Sequence, residues 1–184
     1  MKRLLIGALV GGIIIFIWQT LSFVLLDLHS PAHQYTSKQD EIMNYLSSQL
    51  TQNGQYFLPT HPEGATQEQV TDYMKNAEGK PWAIISYHTS WDTDMTMNMV
   101  RGLLVNIIMV GLLCWIISKM NLVRFSTILT ASLFVGLISF LNVPYTNHIW
   151  YETFDLMAYL IDALLSWGLA GLWLGYWYGR DLRR

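Results

Sequence analysis

The sequence predicts a membrane all-α bundle of four transmembrane helices, with a small α/β cap of two helices and two short strands between the first and second spans. Three observations carry that prediction. Only 13% of the 184 residues are charged while 52% are hydrophobic, about half the charge of a soluble domain. Four stretches, 4–26, 102–118, 125–143 and 156–179, hold between them one charged residue, Asp162. Each is long enough to cross the hydrocarbon, which takes roughly 17–25 residues in a helix. Finally, the basic residues are distributed unevenly around those stretches. The same composition excludes several classes: there is no basic surplus for nucleic acid, a single Cys cannot build a disulfide scaffold, and the apolar content is too high for disorder.

The first span follows a basic Met1-Lys2-Arg3 start. Signal peptides have an apolar core of about 7–15 residues, and this one is longer, so it reads as an uncleaved anchor over residues 1–26. Lys2, Arg3, Lys119, Arg124, Arg180, Arg183 and Arg184 fall on one side of the four spans, and the segment 27–100 holds three Lys against nine acids. The positive-inside rule then places both termini in the cytoplasm and residues 27–100 outside. Residues 101–184 form a three-helix membrane region. Tyr145, Trp150, Tyr151 and Phe154 supply an outer aromatic belt, and Trp173, Tyr176, Trp177 and Tyr178 an inner one.

Within 27–100 the pattern is α-β-α-β. Ser37 and Asp40 resemble a capping arrangement before a stripe of Ile42, Met43, Tyr45, Leu46 and Leu50. Residues 55–58 read as a strand stopped by Pro59. Thr66 with Gln69 is a capping box opening a polar helix to about Asn76, and residues 82–88 are rich in β-formers. A helix between two strands predicts a parallel pair if the strands meet directly. Two strands are marginal alone.

The last span carries the most information. Asp155, Tyr159, Asp162, Ser166, Trp173 and Trp177 share one helical stripe, and Gly168, Gly171, Gly175 and Gly179 cluster opposite. Glycines at this spacing permit close helix packing, within the chain or against another subunit. An intramembrane acid needs a partner, and Arg101, at the outer end of the second span, is the expected one; a proton- or cation-coupled site at Asp162 is the functional alternative. Asn106, Asn142, Gln19 and Ser22 are available to the same seam. Gly7, Gly11, Ser132 and Gly136 read as packing positions.

Metal chemistry has candidates in His29, His33, His61, His88 and His148, all expected outside the membrane, with Met95, Met97 and Met99 nearby; imidazole and thioether suit copper. Pro31 breaks the helical geometry between His29 and His33, and alternating methionines at a membrane surface serve equally as apolar contacts. Asp92-Thr93-Asp94 offers two carboxylates but reads as a solvated turn. No catalytic motif is present, so no enzyme is expected, no cofactor is implied, and Cys114 reads as a small apolar residue.

Residues 11–29, with Trp18, Ser22 and His29, resemble the start of an uncharacterised family of small bacterial four-helix inner-membrane proteins with an extracytoplasmic segment after the first span. Gln55-Tyr56-Phe57-Leu58-Pro59, Asn147-His148-Ile149-Trp150-Tyr151 and the helix of Asp162 fit the same plan. The resemblance implies this topology and a bacterial inner membrane, and it brings no activity. The expectation is a structural or accessory interaction subunit, as a homo-oligomer or in a larger membrane complex. A small homo-oligomeric transporter or proton-coupled channel around Asp162 is the first alternative, and extracytoplasmic copper or zinc handling by the histidines the second.

Overall fold

A computed structural model describes residues 1–120 and 124–179; Arg180, Arg183 and Arg184, which the sequence reading expects on the cytoplasmic side, lie outside the described residues. The chain divides into two compact units, one of residues 1–34 with 94–184 and one of residues 35–93.

In the first unit, four helical segments are long and apolar enough to cross a membrane. They are α1 (Lys2–Thr20, extended by a wide π-type turn over Leu21–Leu25), α4 (Thr96–Ile117), α5 (Phe125–Phe140) and α7 (Leu156–Gly179). The third runs further than its sequence suggests. Beyond α5 a π-type turn over Leu141–Tyr145 leads into a short helix, α6 (Thr146–Trp150), where a loop is expected after Val143. Proline lacks the N–H that a helix interior needs, and the wide turn absorbs Pro144. The Thr146 hydroxyl then donates to the Leu141 carbonyl at 2.8 Å.

The helices contact one another in the order α4, α1, α7, α5. Ile15, Val110, Cys114, Ile117, Ile128 and Leu174 form the centre of the shared core. Small residues set the approach. A Cβ on Gly12 would meet the Ile107 backbone at 2.6 Å, and one on Gly136 would meet the Ala163 carbonyl oxygen at 2.5 Å. Polar side chains tie the same pairs. Asn106 donates to Gln19 at 2.7 Å between α4 and α1, and the buried Ser132 hydroxyl donates to the Trp167 carbonyl at 2.6 Å between α5 and α7.

The second unit contains α2 (Gln39–Gln49), β1 (Gly54–Leu58), α3 (Gln67–Ala77) and β2 (Ala83–Tyr87). The capping box at Thr66 has both of its hydrogen bonds; the start of α2 has no side-chain cap. The strands pair antiparallel, with Gly54 opposite Tyr87 and Leu58 opposite Ala83. The parallel expectation is therefore corrected. The connection from Pro59 to Trp82 is long enough to return the chain in either sense, so an intervening helix does not impose the crossover that parallel strands require.

Candidate functional site

The polar stripe of α7 engages α1 at its far end. After Leu25 the helix unwinds through long-range backbone bonds, Leu26 N–H to Leu21 and Leu28 N–H to Ser22. Asp27 then adopts a left-handed backbone at φ 47°, a conformation that aspartate tolerates better than most side chains. The Ser30 amide and hydroxyl both bond the Asp27 carbonyl and close the reversal. His29 is thereby turned back against α7 and is 2% exposed.

Its ring stands between two carboxylates. Nδ1 lies 2.7 Å from Asp155 Oδ2 and Nε2 lies 3.0 Å from Asp162 Oδ2. Seven residues is about two helical turns, so both carboxylates lie on one face, separated by a distance that an imidazole can bridge. The other oxygen of Asp162 accepts the Trp18 indole N–H at 3.0 Å. Phe23 stacks on the imidazole with ring centroids 3.8 Å apart, and Tyr159 meets it edge-on at 4.7 Å. Each nitrogen–oxygen contact needs one proton. The two contacts join the three titratable groups His29, Asp155 and Asp162 in one hydrogen-bonded cluster.

The expected Arg101–Asp162 pair is corrected by this geometry: Asp162 bonds Trp18 and His29, and Arg101 is exposed. His29, one of the metal candidates, has both ring nitrogens against carboxylates. His33 bonds the His29 carbonyl, His61 the Pro62 carbonyl, and His148 the Thr153 hydroxyl, while His88 lies beside Ser86. Among the described residues, no group of three or more His, Cys, Asp or Glu is arranged to hold a metal ion. Ser166 is buried one turn beyond Asp162. Gln19 and Asn106 bond each other rather than the Asp162 seam. The glycine stripe faces α5 of the same chain. Gly168 faces Leu133, Gly171 lies against Ser132 and Gly175 against the Phe125 ring, and among the described residues nothing lies within 4 Å of a Cβ on Gly179.

A second polar clasp joins the opposite ends of the same helices, and the sequence reading did not foresee it. The Arg3 guanidinium donates to the Trp177 and Tyr178 carbonyls at 2.8 and 2.9 Å, groups that a helix C-terminus leaves without intrahelical partners. The Trp177 indole donates back to the Arg3 carbonyl at 3.0 Å. A cation placed there also complements the helix dipole.

No family model matches the chain, and no curated protein or solved structure does either.

Proposed function

We propose that the chain is a bacterial inner-membrane protein with cytoplasmic termini, residues 27–100 outside, and the role of an accessory subunit in a membrane assembly. The observation that carries this reading is where the interior polar groups go. Trp18, His29, Asp155 and Asp162 bond one another across α1 and α7, Gln19 bonds Asn106, and Arg3 caps α7. In hydrocarbon such bonds join helices where the hydrophobic drive is missing, so the chemistry of the interior is that of a held scaffold. The resemblance to the four-helix inner-membrane family supports the same topology. Gentle native extraction, mass determination and identification of co-purifying chains test it. A stoichiometric foreign protein is expected; a bare monomer or homo-oligomer under those conditions would sink the accessory role.

One observation favours a second reading, a proton-coupled carrier working as a homo-oligomer. Titratable groups at membrane depth are costly and commonly mark proton paths, and here three are hydrogen-bonded in one cluster. In proteoliposomes reporting internal pH, Asp162→Asn should abolish any proton-dependent flux of the unmodified protein. Flux that survives in folded protein ends this reading.

A further inference from the structure

Residues 35–93 form a cleft of about 670 Å³ between α3 and the β1–β2 pair, within the range of small-molecule sites. Val70, Tyr73, Met74 and Ala77 recur at the spacing of one helix face, and Phe57 and Trp82 line the cleft from the side of the strand pair. This lining is apolar and open: Trp82 is 50% exposed and Met74 68%. In a unit with so little core, an aromatic and aliphatic surface of this kind is an invitation to an apolar occupant.

The charge of the cleft says which one. Residues 27–100 carry three Lys against nine acids. Lys38 is paired with Glu41 at 2.7 Å. The other two, Lys75 and Lys80, both line the cleft, together with one carboxylate, Glu78, and the imidazole of His61. Neither ammonium has a carboxylate within ion-pair distance among the described residues. A strongly acidic segment has thus gathered two cations without an ion pair among the described residues on one apolar cleft.

We infer that this cleft binds a long-chain carboxylate amphiphile of the fatty-acid type, its chain against Phe57, Tyr73, Met74 and Trp82 and its head group against Lys75 and Lys80. The inference stands on residues of this unit alone and holds whichever reading of the helical unit is right. Charge-assisted bonds between an ammonium and a carboxylate are the stronger kind, and the apolar chain accounts for the lining that the segment itself leaves uncovered.

The test uses the full-length protein in nanodiscs of zwitterionic phosphatidylcholine. It is irradiated with a long-chain fatty acid bearing a diazirine, and the labelled peptides are mapped. Labelling is expected between Phe57 and Trp82. In Lys75→Gln/Lys80→Gln it should fall about tenfold, the scale of one lost charge-assisted bond. Labelling of the apolar helices, read in the same sample, should stay unchanged and controls for folding and probe dose; both lysines are exposed. The matching fatty alcohol should label the wild-type cleft no better than the acid labels the double variant. Cleft labelling that is absent, that ignores the lysine changes, or that the alcohol equals would overturn the assignment. Selective capture of an apolar peptide with a free terminal carboxylate in place of the fatty acid would do the same.

Discussion

At the scale of single residues, His29 matters because of what it separates. Removing it leaves Asp155 and Asp162 facing one another without the ring that hydrogen-bonds both. Breaking a buried ionic network by deleting one partner costs about 3–5 kcal/mol, so His29→Ala should lower unfolding stability in detergent by that order. Trp18→Phe removes one N–H from Asp162 and keeps the ring, so about 1.5–3 kcal/mol is the expected loss. Their effects should not add, because both act on the same carboxylate. Equal small losses, or strict additivity, would show that the cluster is not the tie described above. The acidic half of this cluster was legible in the sequence, because Asp155, Tyr159 and Asp162 share a face by helical period alone. Its partner was not. Matching charges by estimated depth selected Arg101, whereas the chain reversal at Asp27 that brings in His29 has no periodic signature.

Elements meet through glycine and polar contacts, and the geometry ranks them. Gly12 and Gly136 face backbone atoms of the neighbouring helix, which cannot swing away. Gly12→Val and Gly136→Val should each destabilise by at least the 1–3 kcal/mol typical of overpacking, read as a lowered thermal midpoint. Gly168→Ala, with only an ordinary contact to Leu133, should stay within about 0.5 kcal/mol. A uniform response along the series would contradict the assigned helix contacts. The entry to α4 responds to pH instead. Asp94 accepts the Thr96 amide at 2.9 Å, and this bond, with one from the Thr96 side chain, holds its carboxyl below the ordinary aspartate value. A carboxyl with a lowered folded value contributes at neutral pH, and the contribution is lost as pH falls through that value. Amide exchange at Thr96–Met99, corrected for intrinsic rates, should therefore quicken in acid in the wild type and be insensitive to pH in Asp94→Asn. The four long apolar segments and the Thr66 box were readable because length and capping chemistry are local. Strand direction and the continuation past Pro144 were not, since the first depends on how a long connection returns. The second depends on a wide turn that makes the missing N–H harmless.

For the whole molecule, the two clasps impose a constraint that charge counting alone lacks. Arg3 holds the carbonyls of Trp177 and Tyr178 at one end of the α1–α7 pair, while His29 holds Asp155 and Asp162 at the other. The beginning of α1 and the end of α7 therefore belong to the same side of any membrane the bundle spans. Lys2, Arg3, Lys119 and Arg124 border the helix ends on that side, and the cytoplasmic location proposed for it rests on the preference of basic loops for the interior. With Cys114 replaced by Ala, single cysteines report the outcome directly. Ser47→Cys, exposed on α2, should react with a membrane-impermeant maleimide in intact cells; Lys119→Cys, exposed just beyond α4, should react only after permeabilisation. The reverse pattern would invert the molecule and move the cleft beside Lys75 and Lys80 to the cytoplasm. Reaction of both in intact cells would mean that α4 does not span. Because the His29 clasp and the other basic residues of that side are kept, Arg3→Met should leave the labelling pattern unchanged while loosening the end of α7. A changed pattern in that variant would show that the Arg3 charge, rather than the combined basic residues of the inner side, sets orientation.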